Sequence, residues 1–170
     1  MSEPLIVLIG AGGIGCPAAL ALGKSGASRL RVVDEDRVEV SNLHRQVLFE
    51  PSDVGRPKTA TFAERLRQHF PSLDVSPIED RVLPDNAWDL LEDAAVVIDA
   101  TDNYPSRFVV ADAARLMGIP VVHAAAVKWQ ATVMACSSRG EPCYRCLFED
   151  LPDGPVVDCA CSREALSPWS

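Results

Sequence analysis

The sequence predicts a Rossmann-like α/β fold, a doubly wound and mostly parallel sheet, on three observations. Short β-branched runs alternate with longer helical segments, as a parallel sheet covered on both faces requires. Gly10, Gly12 and Gly15 form a G-x-G-x-x-G between the first strand and the first helix. The 170 residues are 48% hydrophobic but only 6% aromatic, which suits one domain with an aliphatic core.

Residues 5–9 read as a buried strand, and the alanine-rich stretch after the glycines as a helix to about Ser25. A second strand over 30–33 ends at Asp34. Pro57 opens a helix, at a position where a missing N–H costs nothing, and the helix stops at Phe70 before Pro71. Residues 75–78 are expected as a third strand, 86–92 as a short helix and 96–99 as a fourth strand. A helix over 106–117 is ended by Gly118 and Pro120, and 121–124 is a fifth strand. Residues 132–135 read as one arm of a hairpin whose turn is Ser138-Arg139-Gly140-Glu141. From Pro142 onward, prolines, cysteines and charges replace periodicity. Residues 1–141 are thus expected as a nucleotide-binding α/β domain, and 142–170 as an irregular, cysteine-containing tail of that same, incomplete domain.

Composition removes several function classes. The 24 acidic and 16 basic residues leave a charge of −8, which argues against nonspecific nucleic-acid binding but not against ATP. No apolar run approaches the ~20 residues of a membrane span, and Met1-Ser2-Glu3-Pro4 lacks the character of an export signal, so a cytoplasmic location is expected. In that setting the six cysteines are not read as a disulfide framework. Cys16 and Cys136 are expected as buried small hydrophobes, and Cys143, Cys146, Cys159 and Cys161 as metal ligands or nucleophiles. His44, His69 and His123 show no ligand spacing and read as surface or packing residues.

The glycine motif is a nucleotide candidate. Glycine allows a tight turn and close phosphate approach, and the helix N-terminus offers free N–H donors. Asp34, nineteen residues after Gly15 at the end of the next strand, can accept from ribose hydroxyls. NAD and ATP would both fit these features.

Further segments narrow the choice. They are Asp34-Glu35-Asp36-Arg37-Val38-Glu39-Val40-Ser41-Asn42-Leu43-His44-Arg45-Gln46, Gly55-Arg56-Pro57-Lys58, Asp99-Ala100-Thr101-Asp102-Asn103 and Gly140-Glu141-Pro142-Cys143-Tyr144-Arg145-Cys146. Together, and in this order, they resemble the MoeB/ThiF/HesA family, bacterial relatives of ubiquitin-activating enzymes. The resemblance implies ATP- and Mg2+-dependent adenylation of the C-terminal glycine carboxylate of a ubiquitin-fold sulfur-carrier protein ending in Gly-Gly, as in molybdopterin or thiamine biosynthesis. It implies Arg45 and Lys58 as phosphate-contacting cations, and Ser41, Asn42, Gln46 and Asn103 as polar nucleotide contacts beside Gly10, Gly12, Gly13 and Gly15. Asp102 matches the acid that positions Mg2+. The residues alone leave Arg45 and Lys58 open as solvated charges, Asp102 as a helix N-cap, and Asp36 as either a surface acid or a nucleotide-proximal one.

The resemblance also makes Cys143 and Cys146 half of a zinc site, whose second C-x-x-C would lie beyond Ser170. Cys159 and Cys161 would strain a shared tetrahedral site, and either could instead be the counterpart of a family cysteine that takes up the acyl group. A homodimer is implied, together with an N-terminal arginine donated to the partner that Met1–Pro4 do not supply. The chain is accordingly expected to be C-terminally truncated relative to the family. Two alternatives stand beside adenylation: a non-catalytic nucleotide- or carrier-binding remnant, and an NAD(P)-dependent oxidoreductase.

Overall fold

The computed structural model describes residues 3–139 and 142–148. Among these, the chain runs β1 (Leu5–Ile9), α1 (Gly15–Lys24), β2 (Arg29–Val33), α2 (Lys58–His69), β3 (Asp74–Ile78), α3 (Ala87–Leu91), β4 (Ala94–Asp99), α4 (Tyr104–Met117), β5 (Val121–Val127), β6 (Gln130–Cys136) and α5 (Tyr144–Leu147). The strands form one sheet in the order β3-β2-β1-β4-β5-β6. All neighbours are parallel except β5 and β6. The Rossmann-like, doubly wound expectation therefore holds.

Central β1 is an unbroken apolar run because both its faces are covered. On one face, Leu8 and Val32 pack with Cys16 and Ala19 of α1 and with Phe62 and Leu66 of α2. On the other, Val7 and Val97 pack with Leu90 and Leu91 of α3 and with Val110 and Ala114 of α4. Pro77 is tolerated because β3 is an edge strand, where a missing N–H breaks no inner ladder. Strand order reverses between β1 and β4, and a crevice opens there at the carboxyl ends of the strands. Among the described residues no helix is long and apolar enough to cross a membrane.

Three expectations are corrected. Strand β6 pairs back onto β5, Val121 opposite Cys136 and Val127 opposite Gln130, so the hairpin turn is Lys128-Trp129 and not 138–141. Lys128 sits there with φ at +54°, a conformation that usually calls for Gly or Asn, so the turn carried no compositional signal. Gly140 and Glu141 lie outside the described residues. The segment after Pro142 is not wholly irregular: α5 buries Tyr144 against Phe108 of α4. His123 is neither a surface residue nor simple packing. It is 2% exposed, with Nδ1 2.6 Å from Asp99 Oδ2.

The segment between β2 and α2 carries several site residues and is pinned by Asp53. This carboxylate, 1% exposed, accepts from the Glu50 N–H at 3.0 Å, Arg56 Nη1 at 3.1 Å and Arg65 Nη2 at 3.0 Å. Burial alone would raise its pKa, but those donors outweigh burial and hold it below the ordinary carboxylate value. The stabilisation is present above the unfolded pKa and is lost as pH falls through the lower folded one. Asp53→Asn should cost about 2 kcal/mol at neutral pH. The gap to wild type should close at acid pH in urea titrations, and a gap that stays constant with pH would contradict this assignment.

Candidate nucleotide site

The glycine turn crosses from β1 to α1. Gly10 has φ at +100°, and a Cβ there would lie 2.8 Å from the Ala100 carbonyl oxygen, so only glycine lets the end of β1 pass the end of β4. The N–H groups of Gly12, Gly13 and Ile14 make no hydrogen bond among the described residues, and all three residues line the crevice. Gly15 serves the packing of α1 on the turn and does not line the crevice, since a Cβ there would lie 2.0 Å from the Gly10 carbonyl oxygen.

Asp34 closes the turn from β2. Its Oδ2 accepts from the Ala11 N–H at 2.7 Å and its Oδ1 from the Asp36 N–H at 2.9 Å. Burial raises its pKa, an effect that Lys58 and these N–H groups oppose without cancelling. The Lys58 ammonium lies 2.6 Å from Asp36 and 3.9 Å from Asp34, with 6% of its side chain exposed. Lys58 is thus held by two carboxylates and is not the solvated charge that sequence left open. Asp36 is its exposed partner.

Arg45 is different. It makes no ion pair among the described residues. Its Nη2 donates to Asn42 Oδ1 at 2.7 Å and its Nη1 to the Ser41 carbonyl at 3.4 Å. Its aliphatic stem crosses Gly13, where a Cβ would sit 3.2 Å from Arg45 Cγ. Gln46 is 3% exposed, and its Oε1 is buried with no hydrogen-bond partner among the described residues, an acceptor left open in the crevice wall. The Ser41 side chain faces elsewhere, donating to Glu39 at 3.2 Å.

The opposite wall comes from the end of β4. The N–H and hydroxyl of Thr101 both donate to Asp99 Oδ1, at 3.0 and 2.7 Å. Asn103, not Asp102, caps α4, accepting from the Ser106 N–H at 2.9 Å. Asp102 is left exposed, with no ion pair among the described residues. Together these residues line a cleft of about 700 Å3.

The cleft gathers Gly10, Gly12, Gly13, Asp34, Asp36, Asn42, Arg45, Gln46, Lys58, Asp102 and Asn103, and leaves out Gly15 and Ser41. It adds cations that sequence reasoning passed over: Arg81, paired with Glu35 at 3.5 Å, Lys128 from the β5–β6 turn, and buried Arg107. Arg107 Nη2 donates to the carbonyls of Thr101 and Ala124, tying β4 to β5. Its position four residues after the Asn103 cap was a usable signal, since that spacing turns a side chain back over the helix start.

The cysteines divide as follows. Cys16 and Cys136 are buried, as expected, and burial pushes the Cys16 thiol up to about 12. Cys143 and Cys146 face one another, and the hydrogen bond from Cys146 holds the Cys143 thiol below its ordinary value. Among the described residues no three His, Cys, Asp or Glu side chains come together to hold a metal. These two thiols alone fall short of the four ligands of a structural zinc. Cys159 and Cys161 lie outside the described residues.

Relatives share both sequence and fold. The chain is 44% identical over 156 residues to the SAMP-activating enzyme E1 of Haloferax volcanii, covering 91% of this chain and 57% of that protein. It is 43% identical over 161 residues to the sulfur carrier protein adenylyltransferase of Thermus thermophilus, covering 91% and 59%. E. coli MccB solved with ATP superposes with a TM-score of 0.79 at 26% identity, covering 84% of this chain and 43% of that one. E. coli tRNA N6-threonylcarbamoyladenosine dehydratase, TcdA, in complex with ATP gives 0.67 at 34% identity, covering 71% and 50%. The chain thus spans less than two thirds of each of these proteins. The ThiF family pattern nevertheless matches residues 2–168, which takes in the glycine turn, the Arg45 segment and the Asp102 wall alike, and by that match the chain belongs to the ThiF family.

Proposed function

We propose that this chain adenylates the C-terminal glycine carboxylate of a ubiquitin-fold sulfur-carrier protein, forming an acyl-adenylate and pyrophosphate. One observation carries the reading. A single cleft brings together N–H donors at the start of α1 that make no hydrogen bond among the described residues, an arginine with no carboxylate partner among them and an aspartate with no cationic one. An oxidoreductase that moves a hydride would use the N–H donors but needs neither Arg45 nor Asp102 beside them. The names of the Haloferax and Thermus relatives point to the same chemistry.

The phosphates would lie against the N–H groups of Gly12, Gly13 and Ile14, where the helix dipole favours anions. Asp34 would accept from the ribose, and the open Gln46 Oε1 from a nucleotide donor. A carboxylate oxygen of the carrier attacks the α-phosphorus and forms the new O–P bond. The bond to the oxygen that bridges toward the β-phosphorus breaks, and its electron pair leaves with pyrophosphate. No proton moves, so the side chains act by charge and placement. Arg45, oriented by Asn42, meets charge on the phosphoryl oxygens, while Lys58 keeps Asp34 and Asp36 from repelling them. Asp102 is the carboxylate that would hold Mg2+ with the ATP oxygens, and the ion would supply neutralisation of the leaving pyrophosphate. A carrier tail ending in Gly-Gly, a homodimer and a cytoplasmic setting belong to the same reading.

Exchange of labelled pyrophosphate into ATP, dependent on a carrier ending in Gly-Gly, tests it. Wild type should exchange. Arg45→Ala should lose about tenfold to a hundredfold, the worth of one charge-assisted hydrogen bond. ATP binding without exchange would leave a binding domain only, and selective thermal stabilisation by NADH over ATP would mark an oxidoreductase.

A further inference from the structure

Asp102 is exposed and makes no ion pair among the described residues, yet the backbone on either side of it is fixed. Thr101 is held at every polar group it has. Its N–H and hydroxyl donate to Asp99 Oδ1, at 3.0 and 2.7 Å, and its carbonyl accepts from Arg107 Nη2. Asn103 is held as the cap of α4, through the Ser106 N–H at 2.9 Å. The groups that grip Thr101 are themselves anchored. Asp99 ends β4 fully buried, and its Oδ2 lies 2.6 Å from Nδ1 of buried His123 on β5. Arg107 is buried in α4, and the same Nη2 reaches the Ala124 carbonyl of β5 at 2.8 Å. The Thr101 peptide thus points its N–H at an anion and its carbonyl at a cation, the arrangement in which both charge-assisted bonds are strong. Buried charges are a weak source of stability, so their convergence on the residue before Asp102 points to placement.

We propose that Asp99, Thr101 and Arg107 are positioning residues that fix the backbone of Asp102, so that its carboxylate moves only by side-chain rotation. How Asp102 is held follows from geometry alone. What it holds, Mg2+ beside the ATP oxygens, rests on the adenylation reading. A loop ordered when the protein folds removes an entropy cost that ligand binding would otherwise meet. Loosening Thr101 should therefore raise the Mg2+ requirement. The glycine turn lies on β1 and α1 and keeps its own bonds, so ATP binding without metal should not change.

The test measures thermal shifts of the whole chain with ATP in chelator and with ATP across a titration of free Mg2+. Thr101→Val keeps the side-chain shape and the backbone bonds and removes only the hydroxyl donor. It should raise the Mg2+ concentration for half-maximal stabilisation by about threefold to tenfold, the worth of one hydrogen bond, and leave the ATP shift in chelator as in wild type. Thr101→Ser restores the hydroxyl and should restore the Mg2+ requirement. Arg107→Lys, whose ammonium stops one bond short of Nη2, should raise it as Thr101→Val does. Equal requirements in wild type and Thr101→Val would overturn the proposal. So would a parallel fall of the ATP shift in chelator, which would mark a role in the fold at large. A wild type indifferent to Mg2+, or Asp102→Ala as responsive as wild type, would instead sink the reading of Asp102 as the metal carboxylate. NMR relaxation of the nucleotide-free protein still decides how Asp102 is held. Its amide should be as ordered as those of β4 in wild type and less ordered in Thr101→Val. A mobile Asp102 amide in wild type, or equal order in both proteins, would overturn the proposal.

Discussion

Asp102→Ala should lower carrier-dependent pyrophosphate exchange by at least about a hundredfold and leave the unfolding midpoint where it is. Both halves follow from what Asp102 touches. It is exposed, it caps nothing because Asn103 holds the Ser106 N–H, and it has no ion pair among the described residues. Its removal therefore breaks no contact that supports the fold. It nonetheless lines the cleft, just past the end of β4, together with the glycine turn and Arg45. On the proposed function Asp102 would hold Mg2+, which would supply neutralisation of the departing pyrophosphate, and losing that contribution would cost several kcal/mol in the barrier. The measurement is paired: exchange rate, and ATP-induced thermal stabilisation with and without Mg2+. Wild type should gain extra stabilisation from Mg2+, and the variant should not. Exchange that survives the substitution removes Asp102 from the chemistry.

Gly15→Ala sets two effects of opposite sign against each other. Gly15 is the first residue of α1, and helix propensity alone favours alanine by up to ~1 kcal/mol. The added Cβ would fall 2.0 Å from the Gly10 carbonyl oxygen, a backbone atom held by the passage of β1 beside β4. Gly10 cannot yield easily, because its own N–H is bonded to the Val33 carbonyl at 2.8 Å. The clash should win, with a net loss of about 3 kcal/mol or more in urea unfolding, at the upper end of overpacking costs. Equal or greater stability in the variant would show that the turn can relax. Gly13→Ala makes a useful contrast, since the atoms it would meet belong to the flexible stem of Arg45.

Much of the cleft was legible from local chemistry. A glycine turn between strand and helix, an acid at the next strand end, and Pro57 ahead of a helix each follow from short-range backbone preference. The core of β1 was legible because a strand buried on both faces reads as an unbroken aliphatic run. The β5–β6 turn was not, since Lys128 adopts a left-handed conformation that its side chain does not favour. Strand pairing over seven positions from Val121 to Val127 holds it there, and pairing is a long-range property. His123 misled for the same reason: its partner Asp99 is twenty-four residues away, and only the adjacency of β4 and β5 makes them neighbours.

Sequence alone determined the class of fold, the place of the glycine turn and the family, because these rest on residue types at fixed short spacings. Tertiary structure decided which charges are free. Arg45 and Lys58 looked alike as isolated cations, yet packing buries Lys58 between Asp34 and Asp36 and leaves Arg45 with no carboxylate among the described residues. It likewise gave the α4 cap to Asn103 and freed Asp102, and it brought Arg107 and Lys128 to the cleft. The physical reason is range: backbone propensity acts over a few residues, whereas the pairing of charges depends on which strand ends the sheet order brings together.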